Sequence, residues 1–246
     1  MSSSRKALLL ILIFWIASVI VIFGLIALHQ IRKRSLENER DDRIGQMADE
    51  IREGAETFLV DVDSLPVFGE EDEDFGSFEG NLESAEDPEG TGPESPSETS
   101  NGAPSESPTY TLTSYGTVSI PSIGLELPVW DGAGVIELRY GAGRMPLSCE
   151  AGHPGNLVIF GHRMRRYGSI FNRLGEVSIG DSITIFRNES SFTYVVDKTV
   201  TIEPSEISCY ISREDAGDTC AITLITCTPV GVGTQRLLVI GHLSGS

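Results

Sequence analysis

The amino-acid sequence predicts a mainly β domain, an antiparallel barrel or sandwich with short helices, preceded by an N-terminal transmembrane helix and a disordered acidic linker. Three observations predict it. An uncharged apolar run lies near the N-terminus, residues 61–108 hold 15 Asp and Glu but no Lys or Arg, and from Tyr110 onward short runs rich in Val, Ile and Thr alternate with turn residues.

Residues 7–28 form a run of 22 with no charge and only Ser18 as a clearly polar side chain. At 1.5 Å per residue such a helix crosses a hydrocarbon core of about 30 Å. Ile26-Ala27-Leu28-His29-Gln30 offers no small-residue cleavage site, so residues 1–34 are expected to be a retained membrane anchor. Arg5 and Lys6 before the span and Arg32, Lys33 and Arg34 after it leave the orientation open. Residues 35–60 place Leu36, Ile44, Met47, Ile51 and Phe58 at a spacing that predicts a weakly amphipathic juxtamembrane helix.

The chain carries 36 acidic against 18 basic residues, a formal net charge of −18 that excludes a nucleic-acid partner. Outside the acidic linker 61–108, however, 21 acids face 18 bases, a net charge of only −3. The linker is rich in Glu, Ser, Pro and Gly and lacks apolar periodicity, so it cannot bury enough surface to offset its ordering entropy. A solvated, extended tether is the simple expectation; the alternative is that Leu65-Pro66-Val67-Phe68, or Phe75 with Phe78, docks back as a lid.

The folded domain is expected over 109–246, with strands near 116–120, 125–129, 156–160, 182–186, 192–202, 221–227 and 235–241, and short helices near 135–140 and 168–174. So few helices argue against a parallel α/β sheet, which needs crossover helices. Four cysteines are too few for a disulfide scaffold, and no Cys/His spacing suggests a metal site.

The chemistry gathers at strand ends. The apolar run Ala221-Ile-Thr-Leu-Ile-Thr226-Cys227 is broken by Thr228-Pro229, and Arg236 opens the next strand nine residues after Cys227, so a hairpin through Gly231-Val-Gly233 would return it to the thiol. Upstream, Leu157-Val-Ile-Phe-Gly-His162 is a strand that ends in histidine. A thiol, an imidazole and a guanidinium are the groups that cysteine acyl transfer needs: a nucleophile, a proton carrier and an oxyanion donor.

Thr223-Leu224-Ile225-Thr226-Cys227 with Arg236 behind it and His162 ahead of it resembles the TLxTC signature and catalytic set of the sortases, membrane-anchored cysteine transpeptidases of Gram-positive bacteria. The resemblance runs from about Gly116 to Leu243 and omits the acidic linker. It implies a closed eight-stranded β-barrel with Cys227 as nucleophile, His162 as general acid and base, Arg236 as oxyanion donor, and Thr226 lining the substrate groove. It further implies an LPxTG-type sorting-signal substrate, a thioester intermediate and an amine nucleophile, with no cofactor, no metal and the catalytic domain outside the cell membrane.

Thr226-Cys-Thr-Pro-Val-Gly-Val-Gly-Thr-Gln-Arg-Leu-Leu-Val239 is similar to the pilin-polymerising class, which makes a pilin lysine the expected amine. Against that, no second hydrophobic span lies before Ser246, and Asp87-Pro88 is followed by Glu89 where that class has an aromatic lid residue. Gly161-His162-Arg-Met164 through Leu174 is similar to classes that attach surface proteins to the peptidoglycan cross-bridge. A hydrolytic cysteine peptidase and a membrane-tethered binding module without turnover are the other readings. His153 in its Gly-His-Pro-Gly turn and His242 past the last strand are expected to be bystanders, as is His29 beside the span. Arg163, Arg165 and Arg166 read as a solvated loop or a receiver of acidic substrate, and Cys209 with Cys220 as a possible disulfide that would leave Cys149 over.

Overall fold

The computed structural model describes residues 3–61, 109–212 and 219–245, with side chains from residue 14. The chain divides into two units, 1–42 and 43–246. The first is carried by a helix, α1 (Ser3–Arg52), whose described apolar residues as far as Leu36 are exposed, among them Phe14, Trp15, Ile20, Phe23 and Leu25. It is long and apolar enough to cross a membrane.

The second unit is a β-barrel. Its strands are β1 (Thr57–Asp61), β2 (Thr109–Ile120), β3 (Leu125–Asp131), β4 (Ala142–Arg144), β5 (Gly155–Gly161), β6 (Ser182–Arg187), β7 (Ser190–Ile202), β8 (Cys220–Thr228) and β9 (Gln235–Leu243). They run in the order β1-β2-β3-β4-β5-β8-β9-β7-β6, and antiparallel pairing of β2 with β6 closes β2 to β9 into an eight-stranded barrel. Two ladders, β3 with β4 and β5 with β8, are parallel, which the antiparallel expectation missed. Short helices α2 (Val135–Arg139) and α3 (Ile207–Ile211) lie in the connections. The first matches the expected helix near 135–140. The one expected near 168–174 is instead a single 3-10 turn, Asn172–Glu176.

Alternation along the strands builds two cores. Leu157, Ile159, Ile222, Leu224, Leu237 and Val239 point into the barrel and pack in one core with Ile120, Ile183 and Tyr194 of β2, β6 and β7. Their neighbours Val158, Phe160, Ile225, Leu238 and Ile240 point outward and are covered by Leu138 of α2 and Ile207 of α3.

The juxtamembrane segment departs from its sequence reading. The helix stops at Arg52, and β1 (Thr57–Asp61), whose residues 57–60 fall in the expected helix, pairs antiparallel with β2 over Thr109–Thr113. Ile44, Met47 and Ala48 are buried at the i, i+3, i+4 spacing of a helix face. Met47 packs with Phe58, Val60, Leu112, Trp130 and Tyr140, Phe58 meeting Trp130 edge-on with centroids 5.4 Å apart. Arg52 lies over the Phe186 ring and pairs with Glu126 at 2.7 Å. The barrel unit therefore begins near Arg43, well before residue 109. Residues 62–108 enter from β1 and rejoin at β2, where Asp61 and Thr109 face one another. Both the tether and lid expectations concern residues outside those described.

A chain starting at residue 43 with 62–108 replaced by a short turn should unfold cooperatively in urea at the midpoint of the parent. Starting at residue 109 instead strips Met47, Phe58 and Val60 from their packing with Leu112, Trp130 and Tyr140 and should cost at least about 3 kcal/mol, the scale of one large buried side chain. Equal stability of the two would show that the preceding segment contributes nothing.

Candidate functional site

Three neighbouring strands bring the sequence-predicted residues to one end of the barrel. β8 and β9 are joined by a tight connection in which the Thr228–Pro229 peptide is cis, the Val232 and Gly233 amides donate to the Pro229 carbonyl, and Gly231 and Gly233 take φ of 70° and 69°. Glycine is the residue that adopts this conformation without strain. The hairpin sets Cys227 directly opposite Arg236 in the ladder.

β5 lies on the other side of β8, in parallel register that pairs Gly155 with Cys220 and Phe160 with Ile225. Carried two residues past the last pair, this register sets His162 beside Cys227. The Thr226 hydroxyl donates to the Gly161 carbonyl at 2.7 Å and ties the two strand ends together. His162 alternates with Val158 and Phe160, Cys227 with Ile225, and Arg236 with Leu238 and Ile240, so all three belong to the outward face of the sheet. Adjacent strands are about 4.8 Å apart, which puts imidazole, thiol and guanidinium within one or two side-chain lengths of each other.

His162 and Cys227 are half-buried, open enough for a substrate to reach. Arg236 is 3% exposed. Its Nη1 donates to the carbonyls of Gly233 at 2.6 Å and Gln235 at 3.1 Å, while Nε is buried without a partner among the described residues. A buried cation with an unused donor is costly unless something binds it, so this guanidinium is suited to receive a developing negative charge beside the thiol.

The remaining histidines lie elsewhere. His153 contacts the Ala151 carbonyl at 3.2 Å in the turn before β5. His242 pairs with Asp197 at 2.7 Å and stands opposite Ala221, six residues or about 20 Å along β8 from Cys227. His29 belongs to α1, in the other unit.

Two expectations are corrected. Thr226 does not line a groove: it is wholly buried, on the inner face of β8, and its hydroxyl is spent on Gly161. Cys209 and Cys220, read as a possible disulfide, are not bridged, and none of the four cysteines forms a disulfide. Cys220 instead neighbours Cys149, whose thiol is pushed up to about 11, first by burial and then by Cys220.

Sequence reasoning also misjudged the arginines after His162. Arg163 is half-buried, with Nη1 donating to the Thr228 hydroxyl at 2.7 Å and Nε to the Asn172 carbonyl at 3.4 Å. Arg165 donates to the Gly231 carbonyl at 2.9 Å, linking the loop after His162 to the β8–β9 connection. A run of arginines in a loop carries no signal that separates such anchoring from solvation.

The sortase domain model matches residues 118–244. Sortase A of Bacillus anthracis is 34% identical over 131 residues, which are 53% of this chain and 60% of that protein. The crystal structure of sortase C1 from Streptococcus suis superposes with a TM-score of 0.50 at 31% identity, covering 54% of this chain and 74% of that one. Sortase A from Corynebacterium diphtheriae gives a TM-score of 0.50 at 29% identity, covering 55% and 62%. This chain spans between 54% and 62% of the length of the curated relatives it matches. A family match over just more than half of the chain, carried by the same closed barrel and by the strands that hold Cys227, His162 and Arg236, establishes that this chain belongs to the sortase family.

Proposed function

We propose that this chain is a membrane-anchored cysteine transpeptidase that cleaves an LPxTG-like sorting signal and transfers its acyl part to an amine. The observation that carries the reading is the register of three strands: Cys227 stands opposite Arg236, and the β5–β8 ladder, paired as far as Phe160 with Ile225, leads on its continuation from His162 to Cys227. α1 supports the anchor by its length and its outward apolar residues, with the barrel held outside the membrane.

In this mechanism the Cys227 proton passes to His162, and the thiolate attacks the carbonyl of the Thr–Gly bond. The oxyanion that forms is received by Arg236, whose buried Nε has a donor to spare. His162 returns the proton to the departing glycine amine as the C–N bond breaks, leaving a thioester on Cys227. An incoming amine then attacks the thioester, loses a proton to His162, and expels the thiolate as the new amide forms. Thr226 holds the histidine-bearing and cysteine-bearing strand ends in register through Gly161 without touching the substrate.

A pilin lysine is the preferred amine. The stretch from Thr226 to Val239 supports it, together with the likeness to a solved structure described as the Pilus Island 1 sortase C2 of Group B Streptococcus. The second reading, attachment to a peptidoglycan cross-bridge, is favoured by the 34% identity to a sortase A.

Intact-mass analysis of the full chain with an LPxTG peptide should show a thioester adduct on Cys227. Added amine should convert it to an amide product, and faster transfer to a lysine peptide than to a cross-bridge amine would support the pilin assignment. Cys227→Ala should form no adduct, and turnover by that variant would sink the nucleophile assignment. Release of free acid at the same rate with and without amine would make the enzyme a hydrolase.

Arg236→Ala should lower kcat/KM for acylation by roughly 10²- to 10³-fold, the cost of one oxyanion donor. Thr226→Val, which keeps the shape and deletes the donor, should destabilise by about 1 kcal/mol and slow acylation, whereas Thr226→Ser should preserve both. Paired urea-unfolding and single-turnover measurements check the two effects together.

A further inference from the structure

The β5–β8 ladder has consequences one residue beyond His162. Its register, extended once more, sets Arg163 beside Thr228, and the side chains do meet there, Nη1 to Oγ1 at 2.7 Å. By strand alternation Arg163 and Thr228 belong with Thr226 and Leu237 on the inner face, whereas Cys227 and His162 belong to the outer one. The Arg163 guanidinium therefore lies beneath the sheet, across its thickness from the nucleophile.

Its place is built for it. A Cβ at Gly175 would come within 2.6 Å of Nη2, with Leu237 Cδ2 at 3.7 Å from the same point. The absence of a side chain at Gly175 thus leaves the space that the guanidinium fills. A second bond, from Nε to the Asn172 carbonyl at 3.4 Å, fixes the arm from the 3-10 turn. Burial lowers the pKa of Arg163 from its ordinary value, and the field of Cys227 raises it, so the two groups interact across the sheet.

We propose that Arg163 is a positioning residue for the acyl-transfer step: a fixed cation on the inner face that favours the ionised form of Cys227 and, through Thr228, braces the backbone that carries it. The proposal rests on Cys227 being the nucleophile. The charged and titratable groups around that thiol are His162 and Arg163 just past the end of β5, Arg236 on β9, and Arg165, whose guanidinium reaches from the loop after His162 to the Gly231 carbonyl of the β8–β9 connection. Glu203, past the end of β7, reaches this corner through the Gln235 amide at 2.8 Å. Arg236 works on the outer face and meets the oxyanion; Arg163 works from below and contacts no substrate. Such a cation shifts the proton equilibrium of the resting thiol, so its effect depends on pH, whereas a purely structural brace acts alike at every pH.

The test is the rate at which iodoacetamide alkylates Cys227 in the full chain as a function of pH, read from the mass of the peptide that carries Cys227. Cys149, with its thiol pushed up to about 11, reacts slowly near neutrality, and the peptide readout separates Cys209 and Cys220. Arg163→Gln should raise the midpoint of thiolate formation by roughly one pH unit, the lower end of what an opposite charge nearby contributes. Arg163→Lys, which keeps the charge and loses the fork, should shift it less. Gly175→Ala should shift it in the same direction with Arg163 still present, because the new methyl displaces the guanidinium. For acylation near pH 7, kcat should fall about tenfold in Arg163→Gln with KM little changed, and recover as pH rises.

An unmoved midpoint in both Arg163→Lys and Gly175→Ala would overturn the proposal even if Arg163→Gln fails to fold. Slowing by the same factor at every pH would overturn it too, leaving Arg163 as a clasp for Thr228. Because alkylation reads Cys227 directly, these results stand apart from whether Cys227→Ala loses activity, which tests the nucleophile itself.

Discussion

The parallel pairing of β5 with β8 is the constraint on which the site depends. The paired residues lie 65 positions apart in the chain, from Gly155 with Cys220 to Phe160 with Ile225. No local preference holds them together; the ladder is kept by the two cores that β5 and β8 share and by the Thr226 hydroxyl on the Gly161 carbonyl. A slip of one residue would exchange the faces of every side chain on β5, taking His162 away from Cys227 and Phe160 out of the outer core. Apolar burial along the strands therefore sets the position of the polar end, and the site inherits its accuracy from Val158, Phe160 and Ile225, which do no chemistry.

Arg236 shows the complementary cost. A cation at 3% exposure needs compensation, which comes from two carbonyls, Gly233 in the β8–β9 connection and Gln235 at the start of β9. The left-handed glycines that let the connection turn so tightly also aim the Gly233 carbonyl back at the strand. Compensation stops short of Nε, which stays buried and unbonded among the described residues. Stability alone would favour closing that gap; leaving it open preserves a donor beside the thiol, at the expense of some folding free energy.

The β class, seven of the strands and the position of α2 were legible because long runs such as 192–202 and 221–227 carry enough β-branched residues to be read locally. The chemistry was legible as a motif, since Cys227 and Arg236 are close in sequence and a hairpin between them is a short-range inference. The strands missed are short. β4 has only three residues, Ala142–Arg144, too few to display alternation, and β1 has five, placed between a helix and an acid run. Parallel pairing was not legible at all, because it joins distant segments and leaves no periodicity of its own. Thr226 and Arg163 were misread for a related reason: whether a polar side chain at a strand end meets solvent or the interior depends on which strand lies beside it.

The two faces of the β5-β8-β9 ribbon divide the work. His162, Cys227 and Arg236 alternate with the outer core, while Thr226, Thr228 and Arg163 alternate with the barrel interior. Residues on the inner face are separated from the outer one by the sheet itself, yet their backbones are the same ones that carry His162, Cys227 and Arg236. They can fix the distance between strands without taking up room on the outer face. The inner clasps, Thr226 on Gly161 and Arg163 on Thr228, thereby hold the ends of β5 and β8 together from the side opposite the three outer polar groups.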